Sequence, residues 1–141
     1  MKKILYILFI FIFCNTFQLN AEEIPYLLTA SAKGDLETVK AIIQSGGDSN
    51  TEDKDKVSAL MYASRKNQVA IVEYLISQGA EVNKVESDGW TALMFASKKN
   101  HTETVKALLN NNADPKITDP DGWSAYGLAA TSGYHETIDL L

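Results

Sequence analysis

The sequence predicts an all-α solenoid of stacked helix-turn-helix units joined by turn connections. Three observations carry this. The segment Asp88-Gly-Trp-Thr-Ala-Leu-Met-Phe-Ala-Ser97 has near-copies 33 residues away on both sides, Asp55-Lys-Val-Ser-Ala-Leu-Met-Tyr-Ala-Ser64 and Asp121-Gly-Trp-Ser-Ala-Tyr-Gly-Leu-Ala-Ala130. A fixed period of this size marks a repeat architecture, in which each unit buries its apolar face only against its neighbours. The copies are followed by apolar residues at helical spacing, such as Ile71, Val72, Leu75 and Ile76. Turn residues recur at fixed places, with Asp88-Gly89 and Asp121-Gly122 opening two of the copies and Gly46, Gly79 and Asn112 after the second helical stretch.

The first element is a leader, residues 1–21. Lys2 and Lys3 give a positive start, Ile4 to Phe13 is an unbroken run of ten apolar residues, and a more polar stretch ends in Leu19-Asn20-Ala21. This order matches a secretory signal peptide with cleavage after Ala21, although Leu19 stands where a small residue is usual. A spanning anchor needs about 20 apolar residues, so the run is short for one. The expectation is an exported protein of the periplasm or the medium, bacterial in the style of its leader, with no stable membrane anchor after cleavage. Cys14, the only cysteine, lies in the leader. Phe13 precedes it where a lipoprotein signal would have a small residue. Cleavage leaves a chain without thiol or disulfide chemistry. It also removes two lysines and shifts the net charge from −5 to −7 (11 basic minus 18 acidic residues). No basic stripe is present, so the footprint that nucleic-acid binding requires is missing.

The second element is the repeat domain, residues 22–141, with units 22–54, 55–87, 88–120 and a partial unit 121–141. The register runs without insertion. Leu27, Leu60, Leu93 and Tyr126 are equivalent, as are Ala30, Ala63, Ala96 and Ala129, then Val39, Val72, Val105 and Ile138, and finally Ile42, Leu75, Leu108 and Leu141. In the third and fourth units the Asp88-Gly89 and Asp121-Gly122 pairs signal a tight turn first, with Gly supplying positive φ at no steric cost. Ser58, Thr91 or Ser124 then caps the first helix, and Pro25 takes that place in the first unit. The first helix is short and carries small residues, among them Ala63, Ser64, Ala96 and Ser97, that let neighbouring helices approach closely. The second helix ends at Gly46, Gly79 or Asn112, residues that tolerate a left-handed cap.

These residues resemble the ankyrin repeat, over essentially the whole of residues 22–141. The matching motifs are Thr91-Ala-Leu-Met94, Ala96-Ser97, Asn100-His101, Val105-Lys-Ala-Leu-Leu109 and Asn112-Ala-Asp-Pro115, with Gly79-Ala-Glu-Val-Asn83 closer to the family's exit loop. The resemblance implies a solenoid that binds a partner protein through its turn tips and first helices. Every unit departs from the family's helix start by lacking both its Pro and its His. Met61 and Met94 stand in the His place and cannot tie adjacent repeats as that His does, so cohesion is expected to lean on apolar packing. Asn50 and Asn83 fill the exit-loop Asn column, which Lys116 breaks, and Pro115 and Pro120 are expected to stiffen that region. In the last unit Tyr126 and Gly127 replace Leu-Met, and the chain stops at Leu141 inside the expected second helix.

No P-loop, GxGxxG, HExxH or EF-hand loop occurs, so no catalytic, cofactor or metal site is predicted, nor a small-molecule substrate. His101, at the start of the second helix, reads as a helix-end hydrogen-bond group, and His135 as an exposed residue. Two histidines without an arranged carboxylate make zinc binding unlikely on donor count alone. Glu52, Asp53 and Asp55 read as a solvated acidic loop. The candidate partner-binding strip has Val57, Trp90 and Trp123 at the turn tips and Tyr62, Phe95 and Leu128 on the first helices, aromatic residues being favoured at binding hot spots. Trp90 and Trp123 lead this set as partner-binding candidates, beside the alternative that each ring folds over the neighbouring turn and covers backbone there. Arg65, Lys66, Lys98 and Lys99 form a basic edge that reads as a solvated face, with selection of an acidic partner strand or loop as the alternative. Two functions fit: a non-catalytic binder of another protein, or a scaffolding section of a longer ankyrin array.

Overall fold

A computed structural model of the chain describes residues 25–141. The expected signal peptide, with Cys14, lies outside the described residues. Eight helices follow one another in four antiparallel pairs: α1 (Tyr26–Lys33) and α2 (Leu36–Gln44), α3 (Ala59–Arg65) and α4 (Val69–Ser77), α5 (Ala92–Lys98) and α6 (Thr102–Asn110), α7 (Ala125–Ser132) and α8 (His135–Leu140). The odd-numbered helices stack on one another and the even-numbered helices form a second layer behind them. No strand is present among the described residues; the connections close with single bridges at Glu52–Ser58 and Thr118–Ser124. None of the described helices is long and apolar enough to cross a membrane.

Local chemistry sets each boundary. The hydroxyls of Ser58, Thr91 and Ser124 accept from the backbone N–H three residues on, at 3.3, 3.2 and 3.2 Å, and so satisfy donors that a helix start leaves open. The Met61 sulfur accepts from the Ser58 N–H at 3.4 Å, within its own cap. Pro25 caps α1 through its carbonyl alone. The turn inside each pair needs a left-handed residue, supplied by Gly34, Asn67, Asn100 and Gly133. Gly46, Gly79 and Asn112 take the same conformation after the second helices, as the sequence predicts.

The core is the set of columns. Leu27, Leu60 and Leu93 are buried, as are Ala63, Ala96 and Ala129 and the Val39, Val72 and Val105 series. Each apolar column is covered by the following unit. Tyr126, in the Leu column of the last unit, is 52% exposed. Burying these side chains is the main stabilising term, at roughly 25 cal/mol per Å² of apolar surface.

Polar ties between units add to the apolar packing on which cohesion was expected to lean. Asn50 and Asn83 each bridge to the next exit loop: the side-chain amides donate to the carbonyls of Gly79 and Asn112, and the side-chain oxygens accept from the N–H of Glu81 and Asp114. His101 Nε2 lies 3.1 Å from the Arg65 carbonyl, a helix-end bond as expected, but to the helix of the preceding unit. Gln68 reaches back to Ala32 in the same way. Thr104 and Thr137 donate to the side chains of Asn67 and Asn100, the left-handed residues one unit earlier. The ties lost with the family's His are replaced at other positions of the repeat.

Candidate functional site

Each turn tip is organised by an acid. Asp53 Oδ1 accepts from the N–H of Asp55 and Val57, both at 2.9 Å. Glu86 accepts from Asp88 at 3.0 Å and Trp90 at 2.9 Å, and Asp119 from Asp121 at 3.1 Å and Trp123 at 2.8 Å. Glu86 and Asp119 are only 7% and 8% exposed, and these backbone donors offset the cost of burying a charge. Sequence reasoning missed this column; the signal was an acid at 53, 86 and 119, at the repeat period. The reading of Glu52 and Asp53 as solvated is corrected. Asp53 builds its turn and Glu52 pairs with Lys84 across units, raising the pKa of that lysine through the hydrogen bond they share.

In Asp53 and Asp119 the second oxygen reaches a side chain, whereas both oxygens of Glu86 are used by the backbone. Asp53 Oδ2 accepts from the Tyr62 hydroxyl at 2.8 Å. Burial first, and then this hydrogen bond to a carboxylate, hold the phenol above its ordinary pKa of 10.0. Asp119 Oδ2 accepts from the Trp90 indole N–H at 3.1 Å. Trp90 therefore has a structural duty: it fastens its own turn tip to the adjoining tip that Asp119 organises. Its ring also packs at 5.2 Å and 50° on Phe95, inside the usual range for aromatic pairs. The tip it belongs to is equally tied to the next one. Gly89 has φ +84, and a Cβ there would lie 2.8 Å from the Pro120 ring.

The predicted strip divides as follows. Val57, Tyr62, Trp90 and Phe95 are half-buried and packed against the core. Trp123 is 43% exposed. No hydrogen bond of its indole occurs among the described residues. Leu128 is a correction. It is 5% exposed and belongs to the core, because a leucine stops at the helix layer where the rings of Tyr62 and Phe95, in the same column, extend beyond it. Arg65 does not form a solvated edge either; its guanidinium lies 5.3 Å from the Tyr62 ring and 6.0 Å from the Phe95 ring. Lys66, Lys98 and Lys99 are exposed.

The strip is not continuous, and its opening lies between the third and fourth units. There Trp90, Trp123, Asp88, Asp121 and Lys98 line an open cleft of about 820 Å³, with Leu128 and the buried Asp119 also in its wall. Among the described residues no group of three or more His, Cys, Asp and Glu side chains is placed to hold a metal ion.

A sequence model described as Ankyrin repeats (3 copies) matches residues 3–86, 27–119 and 78–141, and with it the paired helices, turn tips and exit loops fall into place. The chain belongs to the ankyrin-repeat family. No curated protein matches it. Ankyrin repeats are generally protein–protein interaction modules and typically non-catalytic. In this ankyrin-repeat protein the Trp tips are unequal in what they touch. Trp90 is committed to Asp119 at the adjoining turn tip, whereas Trp123 is 43% exposed, lines the cleft and has no indole hydrogen bond among the described residues.

Proposed function

We propose that the chain is an exported, non-catalytic ankyrin-repeat module that captures a partner protein on the turn-tip and first-helix strip, centred on the cleft beside Trp123. One observation supports this most strongly: a Trp 43% exposed lines a cleft of about 820 Å³ in which the neighbouring Trp is fixed by a hydrogen bond. A large indole held on a rigid turn loses little conformational entropy when it is covered, which suits it to anchor a partner. Export is supported by the order of residues 1–21, a positive start, ten apolar residues and a small residue at Ala21. Val57, Tyr62 and Phe95 extend the strip toward the second unit, with the charges of Asp88, Asp121 and Lys98 at its rim.

Site-specific crosslinking tests the surface. A photoreactive residue at position 123 is expected to give a protein adduct in periplasmic or culture extract, and the same residue at the exposed Glu73 of α4, in the other helix layer, is not. Equal labelling at both positions, or none at position 123, refutes the assignment. Intact mass of the exported product tests cleavage after Ala21. A second reading, a scaffolding section of a longer array, draws support from Tyr126, exposed in the column that the following unit covers elsewhere. Further 33-residue units in the reading frame after Leu141 would favour it.

A further inference from the structure

We propose that the cleft between the third and fourth units takes an arginine side chain presented by the partner protein. This deepens the binding reading above and rests on it. The argument starts from the repeat itself, which shows the same interval twice. Between the second and third units the chain supplies its own cation: Arg65 at the end of α3 lies over Tyr62 at 5.3 Å and over Phe95 at 6.0 Å. One period later Lys98 replaces Arg65, Phe95 replaces Tyr62, and Leu128 replaces Phe95. The aromatic partner on the following helix is lost, Lys98 has no ring contact among the described residues, and the open cleft lies in this interval.

The lining of the cleft selects a cation. Asp88, Asp119 and Asp121 face one lysine, Lys98, which leaves a formal charge of −2 in a chain whose net charge is −5. The Asp88 and Asp121 side chains are exposed, and neither carboxylate has a partner among the described residues. Asp119 is already occupied by three donors and adds charge only. A guanidinium matches this set better than an ammonium. It is planar and weakly hydrated, stacks on an indole, and offers a fork of N–H donors to carboxylates at its edge. The exposed ring of Trp123 supplies the face, and Asp88 and Asp121 supply acceptors on the two adjoining turn tips. An acidic or purely apolar segment would leave these two carboxylates opposed or unpaired.

The test uses the full mature chain and a Gly/Ser peptide carrying two arginines, against the same peptide with citrulline, which keeps the shape and removes the charge. Binding is read by calorimetry and by emission of the two tryptophans, the only ones in the chain. The arginine peptide is expected to bind at least about tenfold more tightly than the citrulline peptide, and Trp123→Ala to weaken it by roughly tenfold, the range of a desolvated cation–π contact. Asp88→Asn with Asp121→Asn should weaken the arginine peptide by about threefold or more and leave the citrulline peptide unchanged, the part of the preference carried by the Trp123 ring remaining. A helical spectrum and melting curve like those of the parent verify that each variant is folded. Equal affinity for arginine and citrulline, no binding at about 1 mM arginine peptide, or an unaffected Trp123→Ala variant each overturns the proposal. Failure here with successful crosslinking at position 123 removes the arginine chemistry and leaves the binding surface standing; failure of the crosslinking removes the surface itself.

Discussion

Replacing Trp90 by Phe removes one hydrogen-bond donor while keeping a ring against Phe95. The bond lost is that from the indole N–H to Asp119 Oδ2, at 3.1 Å. A hydrogen bond to a charged group contributes about 1.5–3 kcal/mol net, and an acceptor left buried raises the cost toward the upper end. Trp90 is itself only half-buried, so the lower end applies to the bond, and the smaller ring forfeits a further ~0.5 kcal/mol of packing. The sum is about 2 kcal/mol. With a urea slope of roughly 1.5 kcal/mol/M for a chain of this size, the unfolding midpoint should fall by about 1.3 M. Trp123→Phe is the matched control. The residue follows the same Asp-Gly turn, yet its indole N–H has no acceptor among the described residues, so its midpoint should move by no more than ~0.3 M. Far-UV circular dichroism across a urea series reads both variants. Because stacked repeats are held by nearest-neighbour terms, amide exchange in α7 and α8 should also accelerate in Trp90→Phe more than in α1 and α2. Coincident midpoints for the two variants, or a Trp90→Phe shift below about 0.3 M, would show that the Asp119 contact does not fasten the units and would refute the reasoning.

Asn83→Ala, which removes two bonds to the next exit loop, should cost about 1–2 kcal/mol, while Lys116→Asn in the same column should change stability by less than ~0.5 kcal/mol; thermal melts of the two variants decide this. Ser64 is fully buried and its hydroxyl has no hydrogen-bond partner among the described residues. Ser64→Ala should therefore raise stability by about 1 kcal/mol, and a lower melting temperature would contradict that. Tyr62, whose phenol is held above 10.0 by burial and by Asp53, should titrate above that value, read as the part of the phenolate absorbance change that Tyr62→Phe removes. Since the folded value is the raised one, its contribution to stability is complete below pH ~10 and is lost as pH climbs through the folded value; Tyr62→Phe should abolish that part of the alkaline loss.

The sequence alone determined the repeat, the pairing of helices, the caps and the columns of the core. These follow from short-range rules, in which a hydroxyl three residues before an amide caps it, glycine or asparagine turns the chain, and apolar residues at helical spacing find the layer above. It did not reveal how each column position would be used, because that depends on the neighbour one period away. Asn50 and Asn83 were legible as a column, but that they sew one exit loop to the next became visible only when the loops lay side by side. Leu128 shares its position with Tyr62 and Phe95 and differs in exposure through side-chain length alone. The two tryptophans make the case most sharply. Both follow an Asp-Gly turn and both begin a capped helix, so no local reading separates them. Tertiary structure did so: Asp119 stands within 3.1 Å of the Trp90 indole, while no described carboxylate meets that of Trp123. A residue whose partner lies 29 residues away takes its role from the stack, and only the stack distinguished the tryptophan bonded to Asp119 from the one that lines the cleft without a hydrogen bond.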